Sequence, residues 1–235
     1  MQKVVGGLLI LYTVAVLLAG ASIWHFVTVE EPLVQHLRTR IEMELQKHHS
    51  SWVSLQSVPS TMKVAMVATE DQSFWHNLGV SFEGIGRSVF VDLTTGRFTE
   101  GGSTLTQELA RDQLLTLSKT ISRKLKEMVI SLMITHDYPK ADILSMYLNQ
   151  VYFGHGAYGL NMAAHIYFGR NPSALTPAES TMLAGLPRAP SYLDPLKNLK
   201  AAKVRQWQVL MSMVHTHKIS LSTAKGIYKD PLGLK

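Results

Sequence analysis

Two adjacent acids, Glu70 and Asp71, close an apolar stretch and are followed by Phe74, His76 and Gly79. On spacing alone, such a pair reads as a solvated helix end. An acid that ends a buried helix can instead be held against a cleft wall. Partial burial there lifts its pKa toward that of a useful general base. A second cluster runs Gly101-Gly102-Ser103-Thr104-Leu105-Thr106-Gln107-Glu108-Leu109-Ala110-Arg111. Two glycines, then hydroxyl residues, then a helix would leave free N–H groups at a terminus that favours phosphate oxygens. With a helix starting near Ser103, the side chains of Ser103, Gln107 and Arg111 fall at i, i+4 and i+8 on one face. The plain alternative is a Gly-rich turn before an ordinary capped helix. The third cluster is Arg123-Lys124-Leu125-Lys126-Glu127. Arg123 and Glu127 stack one turn apart, which fits a surface ion pair. A cation cluster beside a second carboxylate is also what departure of a diphosphate requires.

Several other patterns carry no chemistry. Gly154-His155-Gly156-Ala157-Tyr158-Gly159 matches a dinucleotide fingerprint, but its flanks read as helices rather than strands. Ser60-Thr61-Met62-Lys63 and Ser222-Thr223-Ala224-Lys225 match S-x-x-K without the companion motifs of a penicillin-reactive serine. His215 and His217, two apart on a helix, point to different faces and make a poor metal pair.

The elements that must position the three clusters are mostly helices. Apolar periodicity and end signals predict them over Met62–Thr69, Thr104–Leu117, Ile121–Thr135, Lys140–Gln150, Leu160–Phe168, Pro177–Leu186 and Ala201–Thr216. Thr176 caps one, with Pro177 first and Glu179 three residues past the cap, and Pro139 opens another. Strand patterns are poor, with one short extended or hairpin piece expected around Ser88–Thr99. Ser81–Thr99 reads as the least regular and most mobile part.

The 235 residues suffice for one domain plus an appendage. A net charge of +6 suits an anionic partner: nucleic acid, an acidic membrane surface or a diphosphate. The absence of cysteine excludes disulfides and thiolate chemistry. From Val4 to Val29 there is no Asp, Glu, Lys or Arg. About 20 such residues form a helix of roughly 30 Å, enough to cross a hydrocarbon core. A cleaved signal peptide is the alternative, with Ala19-Gly20-Ala21 as its cleavage site, but the apolar run is long for one. Lys3 before the span, and Glu30 and Glu31 after it, favour a cytoplasmic N-terminus. The expected organisation is an anchor over 1–29, a stalk with a membrane-proximal amphipathic helix over 30–57, and a mainly α domain over 58–235.

Together the clusters resemble the peptidoglycan glycosyltransferase family. The matching residues are Ala68-Thr69-Glu70-Asp71-Gln72-Ser73-Phe74 with Gly79, Gly102 through Gln107, and Arg123-Lys124 with Glu127. Further on come Tyr147-Leu148-Asn149 through Tyr152-Phe153-Gly154, and Ala178-Glu179 with Leu183-Ala184-Gly185-Leu186. No transpeptidase sequence follows, which resembles the monofunctional kind. The resemblance implies a lysozyme-like, two-lobed helical fold and an external catalytic domain on a single-pass anchor in a bacterial plasma membrane. It also implies lipid II and lipid-linked glycan as substrates, with a transpeptidase or division proteins as neighbours and no nucleic acid. It assigns Glu70 as general base, with Glu127 assisting in the donor site by position or through a metal or water, Mg²⁺ or Mn²⁺ being the ions to consider. Arg111, Arg123 and Lys124 would hold the diphosphate, with Ser103, Thr104, Gln107, Glu108 and Asn149 in the substrate site and Asp71 and Phe74 in support. Three positions depart from the family pattern: Asn77 where His is usual, Glu108 for the second Gln of a Gln-Gln pair, and Arg111-Asp112 for Lys-Asn. A glycan-cleaving enzyme and a non-catalytic lipid II-binding scaffold remain the alternatives.

Overall fold

The computed structural model describes residues 2–81, 83–84, 86, 102–116 and 120–235, with backbone alone for most of residues 2–23. The expected piece at Ser88–Thr99 lies outside the described residues. Ten helices are described: α1 Gln2–Gln35, α2 Leu37–Lys47, α3 Ser60–Glu70, α4 Leu105–Leu114, α5 Ile121–Asp137, α6 Lys140–Gln150, α7 Gly159–Phe168, α8 Pro177–Gly185, α9 Leu199–His215 and α10 Leu221–Lys229. Among the described residues no helix is long and apolar enough to cross a membrane.

Local chemistry explains most of the ends. Thr176 caps α8 through its hydroxyl, which accepts from Glu179 N at 3.2 Å, while Glu179 Oε2 accepts from Thr176 N at 2.8 Å. That is the reciprocal box expected from Thr-x-x-Glu. Pro139 precedes α6, whose bounds agree with the sequence reading. α7 stops at Gly169, which turns left-handed at φ 65°. The helix α10 went unrecognised in the sequence because only Ala224 of its nine residues is buried.

Helices α3, α8 and α9 pack on one another, with α10 against α8 and α9. Helix α4 packs against α2, α5 and α6, and α7 lies on α6. The segment expected as a stalk is built into this body. Val34, Leu37, Ile41 and Leu45 are buried at helical spacing, and Val53 and Val58 join the same core. Their apolar stripe needs a partner surface, and α4 and α6 supply it. Arg40 Nη2 donates to Gln113 O at 3.0 Å, and Tyr138 Oη donates to Val34 O at 2.9 Å.

Asn149 fastens the same segment. It is buried, its Oδ1 accepts from Val53 N at 2.7 Å, and its Nδ2 donates to Val53 O and Ser145 O at 2.9 and 2.8 Å. Both amide donors are engaged inside the fold, so neither is left for an anionic ligand, and the structure gives Asn149 a bracing role where a place in the substrate site was expected. The Gly154–Gly159 run forms a turn closed by Phe153 N–H to Ala157 O at 2.9 Å and Ala157 N–H to Gly154 O at 2.8 Å. Gly154 has a φ of 87°, and a Cβ there would strike the Pro190 carbonyl. Its glycines serve chain reversal, not a nucleotide.

Asn149→Ala should lower stability by about 2–3 kcal/mol, because both buried polar groups of Val53 lose their partner. Urea unfolding checks this, with Asn149→Asp as a variant that removes the donor to Val53 O and Ser145 O while keeping the acceptor.

Candidate functional site

Glu70 is the last residue of α3 and its side chain is 12 % exposed. Burial raises its pKa above the usual carboxylate value, and the nearby Arg205 and Arg188 guanidinium groups oppose that rise. Arg205, from α9, donates through Nη2 to Glu70 Oε1 at 3.2 Å, and its Nε reaches Gly185 O at 3.3 Å. Arg205 was missed in the sequence. A signal existed: Ala202, Gln206, Val209 and Met213 form the buried stripe of α9, and a cation beside that stripe must be partnered.

Asp71 serves the architecture. It is buried, and its Oδ2 accepts from Leu105 N at 3.2 Å, which binds the end of α3 to the first turn of α4. Ser73 Oγ donates to Asp71 Oδ1, and Asn77 Nδ2 donates to both carboxylate oxygens, each at 3.0 Å. Asn77 Oδ1 in turn accepts from Gly79 N at 3.0 Å and Lys140 Nζ at 2.8 Å. The Lys140 ammonium also stands 4.9 Å from the ring of Phe74, which is buried in the core. Gly79 has a φ of 93°, and a Cβ there would collide with the Ser131 carbonyl of α5.

The second cluster differs from expectation at its helix start. Thr104 is the cap: its hydroxyl accepts from Gln107 N at 3.1 Å and donates to Gly79 O at 2.6 Å. Gln107 Oε1 accepts from Thr104 N at 3.0 Å, completing a capping box. With Leu105 N on Asp71, most of the terminus is already partnered and is not an open phosphate cradle. Thr104 and Gln107 are thus structural, a role that Thr-x-x-Gln signals in the sequence. Ser103 lies just before the cap, and its Oγ accepts from Lys124 Nζ at 2.9 Å.

The third cluster is a buried carboxylate held by two cations. Glu127 is 2 % exposed and accepts from Arg123 Nη1 at 2.6 Å and from Lys124 Nζ. The surface ion pair is therefore ruled out, and Glu127 orients both cations. Arg111 is more exposed and pairs with its neighbour Asp112, Nε to Oδ1 at 2.8 Å, rather than with Glu108. Glu108 receives the Tyr147 hydroxyl at 2.9 Å. Burial first, and the charge of Glu70 second, push the Glu108 carboxyl up to about 7.

Of these groups, Glu70, Asp71, Ser73 and Ser103 line one polar cavity of about 230 Å³, together with Ser81, Glu83 and Gly102. Ser103 connects it to the Lys124–Glu127–Arg123 cluster. Glu127 is engaged by two cations, and among the described residues no group of three or more His, Cys, Asp or Glu side chains is placed to hold a metal ion. Glu127→Gln should cost roughly 1–2 kcal/mol of stability, since it removes the charge partner of Arg123 and of Lys124, whose exposure lets water screen the loss. Chemical denaturation of the two proteins checks this, and a change within a few tenths would mean that the cluster is solvent-screened.

A transglycosylase family model matches residues 36–214. The chain is 36 % identical over 217 residues to penicillin-binding protein 1F of Bacillus subtilis, which covers 89 % of this chain and 30 % of that protein. It is 38 % identical over 184 residues to penicillin-binding protein 1A of Aquifex aeolicus, covering 78 % of this chain and 25 % of the relative. Penicillin-binding protein 1A of Haemophilus influenzae is 39 % identical over 180 residues, 77 % of this chain and 21 % of its own length. The chain thus spans less than a third of the length of these curated relatives. The match begins at residue 36, inside the segment that the core had already claimed, and includes Glu70, Glu108 and Glu127. This chain belongs to the transglycosylase family.

Proposed function

We propose that the domain polymerises a lipid-linked disaccharide, lipid II, into glycan strands for the bacterial cell wall. The observation that supports this reading is one cavity lined by both Glu70, a buried acid, and Ser103, which is tied to the Lys124 ammonium and through it to the Glu127–Arg123 pair. Glu70 takes the proton from the acceptor's 4-hydroxyl. The freed oxygen forms a bond to C1 of the growing chain's terminal sugar with inversion, giving a β-1,4 link. The bond from C1 to the diphosphate oxygen breaks, and its electron pair leaves with undecaprenyl diphosphate. Arg123 and Lys124, held in place by Glu127, face the charge that develops on the leaving group. Arg111 lies near enough to contribute, although Asp112 offsets part of its charge. Arg205 favours the ionised form of Glu70 and so opposes the rise that burial causes.

The same reading includes a lysozyme-like arrangement of two lobes about the cavity and a single-pass anchor in the plasma membrane, with the domain on the external side. Support for the anchor is the 34-residue helix Gln2–Gln35, which contains the charge-free run from Val4 to Val29. A lipid substrate and an anchored enzyme share one surface, which removes the need to extract the substrate into water.

Purified detergent-solubilised protein incubated with labelled lipid II should give polymer that lysozyme digests. Glu70→Gln should reduce its rate by about 10²–10⁴-fold. Binding of lipid II without polymer in the parent would overturn the reading in favour of a scaffold, and release of soluble fragments from purified sacculi would favour a cleaving enzyme. Arg205→Met tests the positioning of the base. The arginine holds the Glu70 pKa down, so its loss should raise that pKa and move the acidic limb of the kcat/KM profile to higher pH. The defect should then be larger near pH ~5.5 than near pH ~8, whereas a purely structural loss would be uniform across the profile.

A further inference from the structure

Lys140 is the first residue of α6, where the partial positive charge of a helix N-terminus disfavours a cation. Its ammonium meets two partners on the loop that follows α3. Nζ donates to Asn77 Oδ1 at 2.8 Å and stands 4.9 Å from the centre of the buried Phe74 ring. The side chain is half-buried, and burial lowers its pKa while the charge of Asp71 opposes that fall. Lys140 lies outside the described lining of the cavity that holds Glu70, so the proposed reaction gives it no direct part.

Resting on the reading of Glu70 as base, we propose that Lys140 is a positioning residue: it locks the Asn77 amide in the orientation that lets Asp71 hold the end of α3 against α4. An Asn side chain has an acceptor on one branch and donors on the other, and the two branches differ little in shape. With Nδ2 toward Asp71, Asn77 donates to both carboxylate oxygens at 3.0 Å, and to Ser73 Oγ at 3.0 Å. Turned over, it would set its carbonyl oxygen against the carboxylate, with no proton between two acceptors. The groups on Oδ1 select the first orientation: the Gly79 N–H at 3.0 Å and the Lys140 ammonium at 2.8 Å. Of the two, the ammonium is charged and makes the stronger bond. The series then runs through Asp71 to the Leu105 N–H, 3.2 Å from Asp71 Oδ2. Glu70 is the residue before Asp71, so the bonds that fix Asp71 also set how the base enters the cavity it lines with Ser103.

The consequence falls on the chemical step rather than on substrate binding. Lys140→Met keeps the apolar stem and removes the ammonium. Asn77 then keeps its orientation through Gly79 alone, and the end of α3 gains freedom. A reacting group displaced by about 1 Å can cost about 10²-fold in rate, so partial loosening should lower kcat about tenfold. KM for lipid II should stay within about twofold, because Lys140 stands outside the cavity lining. Lys140→Arg keeps a cation beside Asn77 and Phe74 and should recover most of kcat.

Amide hydrogen exchange, read by NMR on the solubilised full chain, tests the lock without turnover. In Lys140→Met the Leu105 N–H should exchange about tenfold faster, while the core amides of Leu183 in α8 and Val209 in α9 keep the parent's rates. Steady-state polymerisation with the same samples gives kcat and KM. An unchanged Leu105 rate overturns the inference, as does an unchanged kcat or a loss confined to KM. Equal acceleration at Leu105, Leu183 and Val209 also overturns it, since general destabilisation would give that, and so does a Lys140→Arg protein that behaves like Lys140→Met. Should Lys140→Met fail to fold, Lys140→Gln removes the same charge and is scored by the same outcomes. A parent that makes no polymer sinks the polymerase reading, and the Leu105 exchange rate then decides the lock by itself.

Discussion

The carboxylate of Asp71 is the junction on which the rest of the site depends. It sits where α3 ends, and one of its oxygens satisfies the Leu105 N–H that opens α4. A carboxylate at a helix N-terminus is favoured by the partial positive charge there, and burial makes the same contact costly to lose. Through Asn77 it also reaches Gly79 and Lys140, so α3, α4, α6 and the intervening loop are tied at one point. Glu70 is adjacent in the chain, and its placement at the cavity follows from the fixing of its neighbour. Of two adjacent acids, one therefore carries the junction and the other is held at the cavity by Arg205.

The remaining charges are partitioned rather than pooled. Glu70 takes Arg205, Glu127 takes Arg123 and Lys124, and Asp112 takes Arg111. Each pairing lowers the cost of burying a charge, and each also fixes where a cation can point. Glu108 is the exception, answered by a phenol. The three departures from the family pattern fall into this arrangement. Asn77 supplies both a donor for Asp71 and an acceptor for Lys140, a combination that one neutral amide provides. Asp112 tempers Arg111, and Glu108 adds an acid whose pKa burial raises.

Much of the fold was legible because its signals are local. The Thr176–Glu179 box, Pro139 and the apolar periodicity of α5, α6 and α9 mark helices without reference to the rest of the chain. The 30–57 segment was read as a stalk because its polar residues dominate the count. Its five buried apolar residues matter only once the rest of the core, α4 and α6 included, stands opposite them. At the site, Thr104 and Gln107 were placed with the ligand because a Gly-rich lead into a helix suggests phosphate. The capping box that uses them is itself a sequence pattern, and it was the better guide.

The sequence by itself determined a helical chain, a charge-free N-terminal run, three clusters of polar residues and the family to which they belong. These rest on residue type, period and order, all of which survive in one dimension. Only the tertiary structure decided which acid meets which cation. Arg205 lies 135 residues from Glu70, and Tyr147 39 residues from Glu108, so no spacing rule could join them. What a carboxylate can do depends on burial and on its nearest charges. Those are set by how α3, α4, α6 and α9 pack, not by any neighbour in the chain.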